Sequence, residues 1–579
     1  MAATYPGTPS SEVGGILEDI AAPAGMYFEY SINEKVAVEV AGAAAASGVR
    51  SFAFMKHVGL NVASDAFMTL SYTGVRAGMV IMTADDPSCH SSQNEQDNRY
   101  YAKLGLYPML EPSTPAEARD MLVEAYRISE LLQVPVLFRT TTRVNHARGA
   151  VELHKAFTPT RKGKFEKDPK RFVPVPANAR LLRVEQLKRM ERALRMSEGS
   201  TLNFITGSSR IGVVTSGVTY TYAKEWLEDV EILKLGFTNP LPAEQVKAFA
   251  ASVERVLVIE ELDPFIEEQV RALGIKVVEH ATELNMLEMN PMRLTVLRKE
   301  LLGDVELPAV TRADAGLPTR PPMLCSGCSH RAVFYTLAKL GATVTGDIGC
   351  YTLGAFPPLS AMDTTICMGA CIGNAFGMEK AGKTGRLCAV IGDSTFFHSG
   401  MTGILNVLYN GGTITTIVLD NRITGMTGHQ ENPGSGRTLC GEPAPVTDIA
   451  ELAKAMGFKR VARVDAYDLA ALERVLKEEL DAPEPSVVIA GGPCRIAAKL
   501  MNAGTCEVDP VTCKACGACF KLGCPAIERG EPSWHTRSTS PMSRPSSSDA
   551  VATSTCSSPR LSFCSASRRN SLDRLPWWV

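Results

Sequence analysis

The sequence places two oxygen-bearing side chains at the ends of two successive apolar segments. Asp393 follows the run LCAVIG and Asn421 follows the run TITTIVLD, with a helix predicted between them over about 399–409. In a right-handed βαβ unit, both strand ends lie at the carboxyl edge of one parallel sheet. Adjacent strands are about 4.8 Å apart, so both side chains can reach one small cation. A carboxylate, an amide and a nearby carbonyl suit Mg²⁺ bound together with phosphates.

This segment resembles the diphosphate-binding motif of thiamine-diphosphate enzymes, which runs from Gly-Asp-Gly or Gly-Asp-Ser to a terminal Asn. The resemblance implies that Asp393 and Asn421 are side-chain ligands of Mg²⁺ and that Ile423 contributes its carbonyl oxygen. An ordinary βαβ turn is the alternative, because Gly-Asp-Ser alone is common, but the continuation DNRITGMTG favours the cofactor motif. Contacts to the cofactor are expected from six residues: Gly349, Gly392, Asp393, Ser394, Asn421 and Ile423.

Thiamine diphosphate also requires a carboxylate beside its aminopyrimidine ring, which favours the imino tautomer that removes the thiazolium proton. Glu34 fits this role, because SINEKVAVE opens a predicted helix within 31–48, capped by Asn33 or Ser31. Glu39, about one turn further along, is the second candidate. An acid at this position could instead only complement the helix dipole.

The cysteines are unevenly distributed. The chain has sixteen, and its start carries no secretory signal, so a reducing cytoplasm and a role other than disulfide bonding are expected. Four lie close together: Cys513, Cys516, Cys519 and Cys524. Their spacing, followed by Pro525, is close to a bacterial ferredoxin-type 4Fe–4S motif with one extra residue. A zinc ribbon is the weaker alternative. No second run follows, since Cys556 and Cys564 are badly spaced.

A second set of cysteines is dispersed along the chain: Cys325, Cys328, Cys350 and Cys494. The last two are predicted to end the strand-like segments TVTGDIGC and SVVIAGGPC. Three loops at one sheet edge could then place four thiolates around one 4Fe–4S cluster or a zinc ion. The alternative is that the CxxC pair is structural or merely packed.

Composition excludes several classes of function. The chain has 579 residues, is 45% hydrophobic and has a net charge of -2, so neither nucleic acid nor anionic lipid is an expected partner. No apolar run approaches the roughly 18 to 20 residues that cross a bilayer.

Strand-like and helical segments alternate along most of the chain, which predicts an α/β fold with several parallel sheets. YPGTPSS near the start is predicted to be a strand-to-helix loop with no strand before it. Residues 531–579 contain no Gly, Ile or Lys, which we interpret as a shifted reading frame. The predicted divisions are 1–150 (aminopyrimidine-binding α/β domain), 151–202 (linker), 203–300 (small α/β domain), 317–500 (diphosphate- and Mg²⁺-binding α/β domain), 506–530 (4Fe–4S ferredoxin-like module) and 531–579 (aberrant or disordered tail).

The order of the motifs resembles the 2-oxoacid:ferredoxin oxidoreductases over about residues 4–530. Within this family, the chain is similar to the alpha subunit of the members that act on indolepyruvate. The motifs are YPGTPSSE, NEKVAVEVA, RTTTRVNHARG, VIEELDPFIEEQV, RPPMLCSGCSHR, GDIGCYTLG and GDS…DNRITGMTG, followed by the C-terminal cysteine run. By the same resemblance, residues 203–300 are similar to the C-terminal domain of transketolase.

The resemblance implies oxidative decarboxylation of arylpyruvates, such as indolepyruvate and phenylpyruvate, with coenzyme A. The aryl-acetyl thioester and CO₂ would be the products, and electrons would leave through 4Fe–4S clusters to ferredoxin. Thr8 is similar to the family's substrate-contacting threonine and Glu34 to its activating glutamate. The dispersed cysteines are similar to the set that holds a cluster near the cofactor. A smaller beta subunit is the implied partner, giving a heterodimer.

Two other functions would use part of the same residues. A non-oxidative thiamine-diphosphate-dependent 2-oxoacid decarboxylase needs Asp393, Asn421 and Glu34 but no 4Fe–4S clusters. The C-terminal cysteines therefore argue against this function. An electron-carrier subunit with a silent cofactor fold would not need the intact GDS…DN motif together with Glu34.

Overall fold

The structure is a computed structural model that describes residues 1–152, 162–227, 229–280, 286–302, 322–498, 514, 516–525 and 527. It divides into two compact units, Met1–Gly316 and Leu317–Val579. The division falls where the predicted diphosphate-binding domain begins. Among the described residues, no helix is both long enough and apolar enough to cross a bilayer.

The first unit contains two sheets. Its strands in the described residues are β1 Ala2–Thr4, β2 Phe28–Tyr30, β3 Ser51–Lys56, β4 Met79–Asp85, β5 Met109–Leu110, β6 Val136–Thr141, β7 Phe204–Thr206, β8 Ile211–Ser216, β9 Glu231–Leu235, β10 Phe237–Asn239 and β11 Arg255–Ile259. The larger sheet has the order β10-β5-β6-β4-β3-β1-β2 and is parallel except for β10. The smaller has the order β11-β8-β9-β7, and only β7 in it is antiparallel.

Helices connect these strands, as a parallel arrangement requires. In the described residues they are α1 Ser11–Ile20, α2 Glu34–Ala46, α3 His57–Val62, α4 Ser64–Thr73, α5 Arg99–Gly105, α6 Pro115–Leu132, α7 Thr142–His146, α8 Pro169–Phe172, α9 Pro176–Glu198, α10 Gly217–Trp226, α11 Ala243–Ser252, α12 Phe265–Ala272 and α13 Pro291–Leu302. All seven residues of β4 are buried, which is why its sequence is continuously apolar rather than alternating.

One expectation about the first unit needs revision. The expectation that no strand precedes the YPGTPSS loop was wrong, because β1 pairs in parallel with both β2 and β3. It has only three residues, too few to give a recognisable pattern. The division of the chain at 151–202 stays a prediction; α9 lies within it, and there the Gln186 side-chain amide donates to the Ser71 hydroxyl and the Arg189 guanidinium donates to the Ser71 carbonyl.

In the described residues of the second unit, one parallel sheet has the order β12-β13-β14-β16-β15. Its strands are β12 Thr343–Thr345, β13 Leu387–Gly392, β14 Thr415–Asp420, β15 Arg460–Asp465 and β16 Ser486–Gly491. Its helices are α14 Ser329–Leu340, α15 Ala370–Lys380, α16 Asp393–Thr395, α17 Met401–Tyr409, α18 Ile449–Met456 and α19 Leu469–Leu480. Alternate residues of β13 enter two apolar clusters, so both faces of the sheet are covered.

The predicted βαβ unit is present, and its details differ from expectation in two places. The helix after β13 begins at Asp393 instead of about residue 399, and a π-helical turn, Phe396–Gly400, follows its first turn. Such turns occur often at functional sites. The strand expected to end at Cys350 ends at Thr345, and Cys350 opens a 3₁₀ helix.

The predicted fold class, α/β with several mostly parallel sheets, is confirmed. In the C-terminal cysteine-rich segment the described residues include one short 3₁₀ helix, Ala518–Leu522. The ferredoxin-like module therefore stays a prediction.

Candidate functional site

Asp393 lies at the carboxyl edge of the sheet in the second unit. The register pairs Gly392 with Leu419, so Asp393 leaves β13 beside the end of β14. Its side chain is buried, and the amide of Asn432 donates a 3.0 Å hydrogen bond to its Oδ2. The turn that follows β14 therefore lies next to this carboxylate.

Burial raises the pKa of Asp393 to about 7, and the neighbouring Asp420 carboxylate adds to the rise. Hydrogen bonds from Asn432 and from the backbone N–H groups of Ser394 and Arg422 oppose it. A buried carboxylate with a second acid nearby is an unfavourable arrangement unless a cation compensates for it. The donor set at this edge therefore fits a divalent ion such as Mg²⁺.

Asn421 is held in the turn after β14. Its Oδ1 accepts a 3.1 Å hydrogen bond from the Ile423 backbone N–H. Its amide nitrogen lies 3.4 Å from Nε2 of His330, which is buried at the start of α14. Burial lowers the pKa of His330 to about 4, so the neutral ring can accept a hydrogen bond from the amide.

Gly349 and Gly392 both pack against the same aromatic ring. A Cβ atom on Gly349 would lie 2.4 Å from Cε1 of Tyr351, and one on Gly392 would lie 2.6 Å from that atom. The Tyr351 hydroxyl donates to the Ile348 carbonyl at 2.9 Å. Both positions therefore require glycine because the ring packs against the backbone. Neighbouring Ser394 accepts a 2.8 Å hydrogen bond from the Thr424 hydroxyl, tying the two strand ends together.

The dispersed cysteines approach one another in the second unit. Burial raises the pKa values of Cys328 and Cys350 to about 12. The nearby Cys325 thiol contributes to the rise in both pKa values. The Cys494 thiol raises the pKa of Cys325 and Cys350 in the same way. A Cβ atom on Gly425 would lie 3.7 Å from the Cys350 sulfur and 3.8 Å from the Asn421 amide nitrogen. The Cys350 thiol is therefore a near neighbour of the turn that carries Asn421.

Among the described residues, no three or more His, Cys, Asp or Glu side chains form a group that could hold a metal ion. The predicted Mg²⁺ ligands are of a different kind, because only Asp393 among them is one of these residue types, and Asn421 and Ile423 would contribute an amide and a backbone carbonyl. The four dispersed thiols interact electrostatically without being arranged as ligands. Their role as cluster ligands stays a prediction.

The C-terminal cysteines are partly described. Cys513 lies outside the described residues, whereas Cys516 is exposed, Cys519 is half-buried and Cys524 is buried. Cys524 belongs to a small apolar cluster with Ile527, Cys519 and Phe520.

Arg331 connects this segment with the CxxC loop. It donates to the carbonyls of Leu522 and Gly523 at 2.8 and 2.5 Å and to the carbonyl of Cys325 at 3.2 Å. Both cysteine-bearing segments therefore contact one buried side chain.

In the first unit, Glu34 is the first residue of α2 and is 4% exposed. Asn33 caps the helix, since its Oδ1 accepts a 2.9 Å hydrogen bond from the Val36 N–H, while Ser31 donates to Glu29 instead. A Cβ atom on Gly59 would lie 2.7 Å from Cγ and Oε1 of Glu34, so the carboxylate packs against α3.

Thr8 follows β1 at the carboxyl edge of the larger sheet, as Glu34 follows β2. Its side chain is half-buried, and its Oγ1 lies 3.4 Å from the Ser11 hydroxyl. The Ser91 hydroxyl donates to the Thr8 carbonyl at 3.3 Å. Because β1 and β2 are adjacent, the topology brings Thr8 and Glu34 to the same part of this edge.

Two family models match the chain. One, described as the thiamine-diphosphate-binding domain of pyruvate flavodoxin/ferredoxin oxidoreductases, matches residues 1–217 and so includes Thr8 and Glu34. The other, the C-terminal thiamine-pyrophosphate-binding domain of thiamine pyrophosphate enzymes, matches residues 347–490 and so includes Asp393 and Asn421.

Curated relatives are similar over almost the whole chain. Indolepyruvate oxidoreductase subunit IorA from Methanothermobacter thermautotrophicus is 45% identical, over 91% of this chain and 89% of its own length. The subunits of that name from Pyrococcus abyssi and Archaeoglobus fulgidus are 42% and 39% identical, also over 91% of this chain and over 88% and 89% of their own lengths. The chain belongs to the IorA family.

Membership of the IorA family makes this protein an oxidoreductase with thiamine-diphosphate-binding domains, as the sequence predicted. A solved 2-oxoglutarate:ferredoxin oxidoreductase from Magnetococcus marinus aligns with 52% of this chain and 61% of its own, at 16% identity and a TM-score of 0.41, which is too low to carry an argument.

Three residues of this IorA-family chain that touch the candidate site were not singled out by the sequence. His330 is part of the motif RPPMLCSGCSHR, and its position directly after the CxxC pair was the available signal. Arg331 is in the same motif. Asn432, which donates to Asp393 across 39 positions of sequence, has no signal in its neighbourhood.

Proposed function

We propose that the chain oxidatively decarboxylates arylpyruvates with coenzyme A, using thiamine diphosphate and Mg²⁺, and passes electrons through 4Fe–4S clusters to ferredoxin. The observation that carries this proposal is the buried Asp393 carboxylate beside the Asn421 turn, at the carboxyl edge of a parallel sheet. The relatives named indolepyruvate oxidoreductase support the choice of substrate class and a partner beta subunit.

Asp393, Asn421 and the Ile423 carbonyl would hold Mg²⁺ and, through it, the cofactor diphosphate. Thiamine diphosphate, when bound, supplies the electron sink that makes loss of CO₂ from a 2-oxoacid possible. The glycines at 349 and 392 keep the backbone close to Tyr351, whose ring occupies the space that a side chain at either position would need. The amide of Asn421 is oriented by His330 and by the Ile423 N–H.

Glu34 is proposed as the carboxylate that activates the aminopyrimidine ring. Its burial removes it from water, so its interaction with a ring nitrogen would be stronger than at the surface. Thr8 is proposed to contact the substrate.

The cysteines support oxidative chemistry over the non-oxidative alternative. Clustered thiols with raised pKa values are unfavourable as free thiolates, and binding to iron would stabilise the deprotonated form. A non-oxidative decarboxylase transfers no electrons to an acceptor and does not require a set of iron-binding thiols. Cys325, Cys328, Cys350 and Cys494 are therefore proposed to hold a cluster, and Cys513, Cys516, Cys519 and Cys524 a second.

The test uses the chain expressed with its partner subunit and purified without oxygen. Calorimetry should detect Mg²⁺-dependent uptake of thiamine diphosphate, and phenylpyruvate or indolepyruvate with coenzyme A should reduce a viologen dye. Asp393→Ala should abolish uptake of the cofactor, whereas the exposed Asp481→Ala should leave it unchanged. Undiminished affinity in Asp393→Ala would overturn the metal-site assignment, and CO₂ release without dye reduction would favour the non-oxidative decarboxylase.

A further inference from the structure

A cationic side chain lies between the two candidate residues of the first unit. Lys56 is the last residue of β3, and β3 pairs with β1, the strand that leads to Thr8. A Cβ atom on Gly7 would lie 2.9 Å from Cγ and Cδ of Lys56, so the lysine stem packs against the backbone next to Thr8. Lys56 also interacts electrostatically with Glu34. It therefore reaches the part of the sheet edge that holds both residues.

The surroundings of Lys56 leave its ammonium group able to bind a ligand. Its Nζ donates a 2.9 Å hydrogen bond to the Ser91 carbonyl, the one hydrogen bond that the described residues offer it, although an ammonium has three N–H groups. The side chain is half-buried, so it is partly desolvated but accessible. Desolvation strengthens an ion pair with an incoming anion.

Four titratable groups interact with Lys56, and two of them are carboxylates. The Asp86 carboxylate accepts hydrogen bonds from the Ser91 N–H and from the hydroxyls of Ser92 and Thr142. Glu34 is the carboxylate assigned to the cofactor ring, and Cys89 is a thiol. His57 next to it is buried, which lowers its pKa to about 4, so it is neutral at pH 7. Burial lowers the pKa of Lys56 to about 8, and the two carboxylates oppose this, so the lysine remains mostly charged at pH 7.

We propose that Lys56 binds the carboxylate of the 2-oxoacid substrate and thereby selects 2-oxoacids over neutral carbonyl compounds with the same side chain. The inference rests on the proposed function. In that chemistry the cofactor diphosphate is assigned to Asp393 and Asn421, and Thr8 is assigned to the 2-oxoacid, so the anionic group expected beside Thr8 is the carboxylate that leaves as CO₂. No residue of the predicted site supplies a positive charge there.

The experiment compares two probes of equal shape and different charge, 3-phenylpropionate and its neutral amide, by calorimetry on the anaerobic complex loaded with thiamine diphosphate and Mg²⁺. The unaltered complex should bind the carboxylate more tightly than the amide. Lys56→Met keeps the apolar stem. It should weaken the binding of the carboxylate probe about ten- to hundredfold, the size of one lost hydrogen bond to a charged group, and leave the binding of the amide unchanged. Lys56→Arg, which keeps the charge, should recover much of the preference.

Kinetics supply a second measurement, and the exposed Lys35→Met supplies the control. The KM for phenylpyruvate should rise in Lys56→Met by the same factor, with affinity for thiamine diphosphate unchanged, and Lys35→Met should alter neither. If Lys56→Met keeps the carboxylate preference, Lys56 is only the counter-ion of Asp86 and Glu34 and the inference fails. If the unaltered complex takes up the cofactor but oxidises no 2-oxoacid, the proposed function fails instead.

Discussion

Glu34 and Glu39 belong to the same helix and lie in opposite environments. Glu34 is buried against Gly59, whereas Glu39 pairs with Lys35 at the surface, each with 45% of its side chain exposed. An exposed ion pair contributes little, and its carboxylate stays hydrated. The environment therefore favours Glu34 as the acid that could act on a cofactor ring.

The contact with Gly59 gives a test of Glu34 that leaves Glu34 itself intact. Gly59→Ala would place a methyl group 2.7 Å from the Glu34 carboxylate, which must move. Because α3 is helical there, alanine would itself favour the helix by about 1 kcal/mol. Overpacking a buried site costs about 1–3 kcal/mol, and the helical gain offsets part of this cost. We expect dye reduction to fall about a hundredfold, as for a misplaced reacting group, with a melting temperature that falls by no more than about a few degrees.

Gly15→Ala is the matched control for this prediction, since Gly15 lies in α1 with open space around its Cβ position. It should leave turnover unchanged. Full activity in Gly59→Ala would argue against Glu34 as the activating group.

Asn432 offers a second test at the scale of one residue. Its amide is the described side chain that donates to Asp393, so it orients the proposed metal ligand. We expect Asn432→Leu to lower Mg²⁺ affinity, measured through thiamine diphosphate uptake at increasing Mg²⁺, by about 10- to 100-fold. Saturating Mg²⁺ should restore the uptake, and a variant that binds Mg²⁺ normally would contradict the assignment.

At the scale of elements, buried ion pairs connect the start of α5 in the first unit with the loop after β11. Arg99 donates to Asp97 and Glu260, and to the carbonyls of Glu261 and Asp263. Glu260 also accepts from the backbone N–H groups of Ile266 and Glu267 at the start of α12. A buried pair of this kind fixes one arrangement of the elements more than it adds net stability.

Glu260 predicts a pH dependence of stability. Burial raises its pKa from 4.5 to about 7, with Arg99 opposing the shift. The folded state therefore binds a proton that the unfolded state releases, so the stabilising contribution is complete below about pH 4.5 and is lost as the pH rises through about 7. In urea unfolding between pH 5 and 8, Glu260→Gln should show a smaller loss of the free energy of unfolding than the unaltered chain. Equal slopes would mean that Glu260 stays ionised throughout.

At the scale of the second unit, separate loops bring the dispersed cysteines together. Cys325 and Cys328 precede α14, Cys350 follows β12, and Cys494 follows β16. Two of these loops leave the same parallel sheet, and the third opens α14, which packs on that sheet, so their meeting depends on the whole unit being folded. Arg331 also holds the C-terminal segment near these loops, because its guanidinium donates hydrogen bonds to the carbonyls of Leu522 and Gly523.

Removing one of these thiols tests whether they hold iron. Cys494→Ser should lower the iron content of the anaerobic complex and the electron paramagnetic resonance signal of its reduced form, because one ligand of the proposed cluster is lost. Affinity for thiamine diphosphate should remain. Cys440→Ser, at an exposed cysteine outside the set, is the control. Unchanged iron in Cys494→Ser would indicate that the dispersed thiols are only packed together.

The sequence by itself determined the α/β class, the family and the candidates at the ends of strands. The sequence could predict that Asp393 and Asn421 lie at the same sheet edge, because a right-handed βαβ crossover brings both strand ends there whatever the details of packing. Burial of Glu34 followed from its place at the start of an apolar helix. These are local or topological properties, and a pattern of residue types expresses them.

Only the tertiary structure decided which side chains touch. The contacts of His330 with Asn421, Asn432 with Asp393, and Arg331 with Gly523 join residues 91, 39 and 192 positions apart. The same holds for Lys56, whose position beneath Gly7 comes from the pairing of β3 with the three-residue strand β1. No periodicity encodes such contacts, because they depend on how sheet edges and loops pack after the chain has folded.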